Sequence, residues 1–265
     1  MRKRISSLTG LLKTFQESDG CFVRDKNRIG TNDRGNIAVF DTAFVLGCLE
    51  KKPQQVRSLL RNGCCFIIEQ RSLSGSINYQ KRTGRKAYPD DLDDTFLCLS
   101  AVARHEPGMI DTETLLSAVN ILVHCETKEG GPYYTWIVPG EMRAKWDDVD
   151  IAVNSNVYHF LTGQDVTLDE MDEYFDDRIG RLDFSSKYYH RPIVVAYFLS
   201  KWYRGRHRQR LADYILSQRI ADGTAWANPM ETALAITALS NLGRAGSETE
   251  AATESLLGTD DESVA

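Results

Sequence analysis

Four carboxylates crowd into Asp90-Asp91-Leu92-Asp93-Asp94, just before Thr95 and the apolar run Phe96-Leu97-Cys98-Leu99. The helix dipole favours carboxylates at a helix start, and one or two of them can cap it. Four is more than capping requires. Mutual repulsion in so dense a group raises the pKa of at least one member. An undissociated acid beside ionised neighbours can serve as a general acid or form part of a cation site.

A second acidic segment, Trp146-Asp147-Asp148-Val149-Asp150, leads into another apolar run carrying Asn154 and Asn156. Asp147, Asp148 and Asp150 offer oxygen ligands suited to Mg²⁺, and Asp147 or Asp148 is equally suited to plain N-capping. Asn154 lies one helical turn after Asp150 on the same face. The basic run Lys81-Arg82-Thr83-Gly84-Arg85-Lys86 precedes the first cluster. Arg85 and Lys86 could hold a diphosphate, or belong to a solvated loop that offsets the acids. His159 and His190 are the histidines placed to orient a proton, although a helical histidine is more often structural.

These residues must be positioned by helices. Apolar residues recur at helical spacing nearly throughout, and no convincing period-2 strand is present. Helices are expected near 3–17, 38–51, 54–71, 91–106, 111–127, 147–162, 166–179, 189–204, 207–220, 229–243 and 247–257. The acidic, small-residue segment 244–265 reads as a frayed helix followed by a disordered tail.

A weak internal repeat runs through this pattern. Its first part is a glycine–aromatic turn: Asp19-Gly20-Cys21-Phe22, Gly75-Ser76-Ile77-Asn78-Tyr79, Gly130-Gly131-Pro132-Tyr133-Tyr134 and Asp222-Gly223-Thr224-Ala225-Trp226. Its second part is an acidic, then apolar helix start: Asp41-Thr42, Asp94-Thr95, Asp150-Ile151 and Glu231-Thr232, with Arg191-Pro192 as a variant. Helical hairpins repeated five or six times stack into an open solenoid or close into an α/α barrel. Closure would point the inner-helix N-termini to one mouth. Asp41, Asp90–Asp94, Asp147, Asp148, Asp150 and Glu231 would then share it.

Asp91-Leu92-Asp93-Asp94-Thr95 resembles the DxDDT motif of class II terpene cyclases, the squalene–hopene cyclase relatives. The Asp-Gly-x-x-Trp turn ahead of Pro229-Met230-Glu231-Thr232 is similar to the repeat those cyclases share with protein prenyltransferase β subunits. The resemblance spans roughly residues 15–243. It implies an all-α, single-domain α/α barrel (toroid) over 1–243, with 244–265 as the tail. It also implies an isoprenoid substrate that Asp93 protonates at an alkene or epoxide, tuned by Asp91 and Asp94, with cyclisation through carbocations. Such cations need a dry site walled by π faces. Tyr133, Tyr134, Trp136, Trp146, Tyr158, Phe160, Tyr188, Tyr189 and Trp226 can supply them, or be ordinary core aromatics. The substrate-binding set expected on this basis is Tyr133, Tyr134, Trp136, Trp146, Asp148, Asp150, Asn154, Tyr189, His190, Trp226, Arg85 and Lys86. The reaction requires no cofactor, and Mg²⁺ would enter only with a diphosphate substrate. Family cyclases usually carry a second helical domain for which this chain has no room. Loops, a homodimer partner or a second protein would then have to cover the cavity, and Glu129–Val149 with its Gly130-Gly131 start is the candidate lid.

Bulk properties narrow the alternatives. A 265-residue chain can bury one large core, and its net charge of -5 gives no electrostatic case for nucleic acid. No stretch approaches a membrane span, leaving peripheral contact as the only membrane association expected. The basic start Met1-Arg2-Lys3-Arg4 lacks a following apolar core, and the six cysteines contain no CxxC pair. Both fit a cytoplasmic protein with reduced cysteines and no zinc site. Two other function classes remain open: a non-catalytic or partner-dependent barrel that binds an isoprenoid or a protein, and a glycan-processing α/α barrel using paired carboxylates such as Asp93 and Asp148. A class I terpene synthase is disfavoured, because no second Mg²⁺ motif accompanies the aspartates.

Overall fold

The computed structural model describes residues 9–23, 38–49, 54–82, 88–220, 223 and 225–258. A helical stretch at 9–14 precedes ten helices: α1 Ala38–Cys48, α2 Arg57–Glu69, α3 Leu92–His105, α4 Thr112–Cys125, α5 Ile151–Gly163, α6 Asp169–Gly180, α7 Pro192–Trp202, α8 Arg208–Ser217, α9 Pro229–Asn241 and α10 Ser247–Gly258. Among the described residues there is no strand, only isolated bridges such as Asp91 with Trp136. The expected helix at 147–162 starts later, at Ile151, because a 3-10 turn at Gly140–Lys145 precedes it and Asp150 is the cap. The helix expected at 247–257 is Ser247–Gly258 and buries Thr249 and Ala252, while 259–265 lie outside the described residues.

The helices fall into two compact units, residues 1–129 with 133–149, and residues 130–132 with 150–265. In each unit core helices alternate with flanking ones. In α3, eleven of fourteen residues are buried, so the helix has no solvent face. The α6 helix buries only Met171, Phe175 and Ile179, a single stripe at four-residue spacing. Core helices pack on one another in sequence order, α1 on α3 in the first unit and α5 on α7 on α9 in the second. A polar tie crosses each of these pairs. His105 Nε2 lies 2.8 Å from the Leu46 carbonyl, the Trp202 indole donates to Ser155 Oγ at 3.0 Å, and Asn241 donates to Ser200 Oγ at 3.2 Å.

The internal repeat has a specific hydrogen-bond signature. In three copies a threonine on the core helix accepts a bond from the backbone of the glycine–aromatic turn and donates to the carbonyl four residues earlier. Thr42 accepts from Phe22 N–H at 2.8 Å and donates to Ala38 at 2.6 Å. Thr95 joins Ile77 N–H (3.0 Å) to Asp91 (2.6 Å). Thr232 joins Trp226 N–H (3.0 Å) to Asn228 (2.9 Å). In α5, Asn154 holds the equivalent place, its amide donating to the Asp150 carbonyl at 2.9 Å. These bonds correct the register expected from the sequence. Asp150 matches the N-cap Asp91, not Asp94, because it lies four residues before the bonding side chain. The turns are equally constrained. Gly20 and Gly75 have φ of +94° and +89°, and an added Cβ would sit 2.3 Å from the Asn62 carbonyl oxygen or 2.6 Å from Ser117 Cβ.

Thr232→Val keeps the shape and deletes both bonds, leaving the buried Trp226 N–H unpaired. It should lower unfolding free energy by about 1–3 kcal/mol in urea titrations, with helicity retained.

Candidate active site

Each carboxylate in the Asp90–Asp94 group has its own surroundings. Asp90 accepts bonds from Ser76 Oγ and, at 3.2 Å, from Asn78 Nδ2, which anchor the preceding turn. Asp91 is the N-cap of α3, in extended conformation, and its Oδ1 accepts from Asp94 N–H at 2.7 Å. Asp94 occupies the third helical position, where Glu231 stands in α9, and its carboxylate accepts from the Tyr79 backbone N–H. Glu231 makes the comparable pair with its own cap, accepting from Asn228 Nδ2 at 2.8 Å and donating its N–H to Asn228 Oδ1 at 2.9 Å.

Asp93 is different. In the repeat register its counterparts are Phe40, Ala152, Ile193 and Met230, all apolar. Helix starting and capping therefore account for an acid at 91 and at 94, and for none at 93. All three side chains are buried, with Asp93 the most accessible at 9 %.

Burial is the main cause of the electrostatics. It raises the Asp91 pKa to about 7, with repulsion from Asp93 adding to it and the bonds with Asp94 opposing it. Burial and repulsion from Asp91 and Asp93 push Asp94 well above the ordinary carboxylate range. Three neighbouring carboxyls in low dielectric cannot all ionise near neutral pH, so the group retains protons and titrates as a unit. Beneath them, burial and the same three acids hold Cys98 as a thiol by pushing its pKa well up.

A strap of chain walls this group. Leu92 N–H donates to Thr135 O at 2.8 Å, Ile137 N–H to Asp90 O at 2.9 Å, and Thr135 N–H to Asp148 O at 2.9 Å. The candidate lid is thus bonded to the start of α3 at Thr135 and Ile137, and Asp148 closes the strap on Thr135. Its rings continue a chain of aromatic contacts: Tyr79 with Tyr88 at 6.5 Å, Tyr88 with Trp136 at 5.9 Å, and Trp136 with Trp146 at 4.8 Å. Asp148 Oδ1 accepts from the Trp136 indole at 3.0 Å. Arg143 donates to the carbonyls of Trp136 (2.7 Å) and Trp146 (3.4 Å) while lying 4.7 Å over the Tyr134 ring.

The structure brings Trp136, Trp146 and Asp148 together, and the Asp91–Trp136 bridge joins this group to the start of α3. Tyr134 supports Arg143, and Tyr133 is a core residue bridged to Glu126. In the second unit, Asp150 is fully engaged as a cap. Its Oδ1 accepts from Ala152 N–H (2.8 Å) and Ser186 Oγ (3.0 Å), and its Oδ2 from Lys187 N–H (2.7 Å). Tyr189 packs on Phe198 at 5.2 Å, and His190 is exposed. Trp226 anchors its turn, donating to Ile215 O at 2.8 Å. Arg85 and Lys86 lie outside the described residues. Among the described residues no three His, Cys, Asp or Glu side chains form a group able to hold a metal ion. Tyr79 and Tyr88 were not among the expected substrate residues. Tyr79 ends a repeat turn and was visible in that sense, whereas nothing local marks Tyr88.

Stability should fall as pH rises, since the folded state favours the protonated acids. The contribution is fullest below about pH 4 and declines as pH climbs towards about 7 through the raised Asp91 titration. Asp94→Asn, which removes one charge and relieves the repulsion, should melt higher than the parent at pH 8. The difference should shrink towards pH 4, as read by circular dichroism.

No protein-family model matches the chain, and no curated protein matches it in sequence. Solved structures do. A protein from Actinoplanes aligns with 93% of this chain and 77% of its own at 17% identity and TM-score 0.64. Type II terpene cyclase MstE from Scytonema aligns over 97% of this chain and 77% of its own, at 15% identity and TM-score 0.63; MstE is also known in complex with its substrate, geranylgeranyl dihydroxybenzoate. The ent-copalyl diphosphate synthase from Streptomyces platensis aligns with 85% of this chain but 44% of its own, at 18% identity and TM-score 0.51. The chain has an all-α fold of the class II terpene cyclase type.

Proposed function

We propose that the protein is a cyclase that protonates an isoprenoid alkene through Asp93 and closes rings by way of carbocations. The observation that carries this reading is the buried acid at position 93, where four other core helices of the same repeat place an apolar residue. An acid that the fold does not need, and that costs desolvation, fits a chemical role.

The chemistry follows from the surroundings. The alkene π pair takes the proton to form a C–H bond, and the O–H electrons remain on the carboxylate. The carbon left electron-deficient is attacked by the next alkene, and proton loss from the last cation closes the balance. Burial and repulsion from Asp93 raise the pKa values of Asp91 and Asp94, so these two supply the proton reserve of the group from which Asp93 delivers its proton. Tyr79, Tyr88, Trp136 and Trp146 form a chain of ring contacts joined to the acid-bearing helix start through the Asp91–Trp136 bridge, and ring faces stabilise cations without reacting as water would. Protonation of this kind requires no metal. The fold likeness to MstE and to a copalyl diphosphate synthase supports the same reading, and the MstE substrate suggests a prenylated compound for trial.

Purified protein incubated with farnesyl, geranylgeranyl and squalene-type substrates should yield cyclised products by mass spectrometry. Asp93→Asn should cut the rate by roughly 10²–10⁴-fold with the helical circular dichroism retained and a melting temperature no lower than the parent's. An unaltered yield in that variant, or no product from any substrate, would sink the proposal.

A further inference from the structure

The second unit holds a hollow of about 720 Å³ at the far end of α5 from its Asp150 cap. The last turn of α5 and the last residues of α7 line it, with α6 along one side. Its size falls in the range of small-molecule sites. The floor is aromatic: Tyr158 and Trp202 meet at 4.8 Å and 81°, with Phe175 behind at 4.7 Å from Trp202. One wall is braced. Asp176 accepts from the Tyr203 hydroxyl and pairs with Arg206 at 3.0 Å. Gly205 fits beside this brace only without a side chain, because an added Cβ would sit 2.5 Å from Asp176 Oδ1 and 2.7 Å from the Tyr203 ring. The brace ties α6 to the chain that follows α7, and the hollow lies between them.

Two charges that line this hollow are unspent. Asp172, on α6, accepts one bond, from the Tyr158 hydroxyl at 3.0 Å. Arg204, just beyond α7, donates to the carbonyl of Tyr203 at 3.0 Å. Among the described residues neither is in an ion pair, with the other or with any third group. Their charged neighbours are engaged: Asp176 by Arg206, and Lys201 over the Tyr197 and Phe198 rings at 4.6 and 5.7 Å. On open surface a lone charge needs only water. Here a carboxylate and a guanidinium line one concave, aromatic-floored volume without pairing. We propose that the hollow is a binding site for a zwitterion with an aromatic body, of the aromatic amino-acid class. The ligand carboxylate takes the Arg204 fork, and its ring lies on the Tyr158 and Trp202 floor. Its ammonium meets Asp172 and the C-terminal ends of α5 and α7, whose dipoles favour a cation. The site draws only on residues of the second unit, none of them used in the proposed protonation.

Three ligands built on the same ring test this. L-Phenylalanine carries both charges, phenethylamine the ammonium alone and 3-phenylpropionate the carboxylate alone. Titrated into the parent protein and followed by NMR, L-phenylalanine should bind roughly tenfold tighter than either analogue. Arg204→Gln should weaken L-phenylalanine to the level of phenethylamine, and Asp172→Asn should weaken it to that of phenylpropionate. Both side chains are exposed, so circular dichroism and melting temperature should stay close to the parent's. Three results would overturn the site: an analogue binding as tightly as L-phenylalanine, affinity for L-phenylalanine unchanged in both variants, or no binding of L-phenylalanine. None of them bears on the Asp93→Asn assay, which tests the cyclase reading separately.

Discussion

The start of α3 depends on one hydroxyl. Thr95 accepts from the turn at Ile77 and donates to the carbonyl of Asp91, so turn, cap and helix are fixed together. Beside this bond Asp91 caps the helix, Asp90 anchors the turn through Ser76 and Asn78, and the strap joins the chain at Leu92 and Asp90. The same threonine bond recurs at Thr42 and Thr232, where no acid cluster follows. It is therefore a device of the repeat first, and the site is built on one copy of it. A local bond that spans a turn and a helix start fixes backbone direction more firmly than packing alone.

Against that rigid frame stands an unfavourable electrostatic arrangement. Asp91, Asp93 and Asp94 are all buried, and two of them have strongly raised pKa values. Two of the three are accounted for by helix-start chemistry, which keeps a carboxylate at the cap and another at the third position. The third acid turns a capped helix start into a proton-holding group, because like charges in low dielectric cannot all persist. Rigidity and repulsion belong together here. The bonds from Asp94 N–H and Tyr79 N–H hold these carboxyls in place and offset part of the rise that burial causes.

The aromatic side of the site is organised by longer-range contacts. Trp136 is oriented by Asp148, both tryptophan carbonyls are held by Arg143, and Tyr88 meets both rings. These residues are separated from the acids by up to nearly sixty positions, a separation bridged by how the strap pairs with the start of α3. The candidate lid Glu129–Val149 is bonded to the start of α3 at Thr135 and Ile137 and to itself between Thr135 and Asp148.

The sequence by itself determined the helical class, most helix positions, the acid motif and the existence of a repeat. All of these depend on contacts within three or four residues or on periodic burial, which composition and spacing encode directly. It did not determine the repeat register: Asp150 reads like Asp94 by its acidic, then apolar flank, and only the bonds from Thr95 and Asn154 show that Asp150 matches Asp91. Nor did it separate Trp136 and Trp146, which meet near the acids, from Trp226, which anchors a turn on Ile215. Tertiary structure decided those points, along with the depth of each carboxyl and so the direction of its pKa shift. The reason is physical: burial, repulsion and ring contact join residues distant in sequence, and no local pattern records which distant groups the fold will bring together.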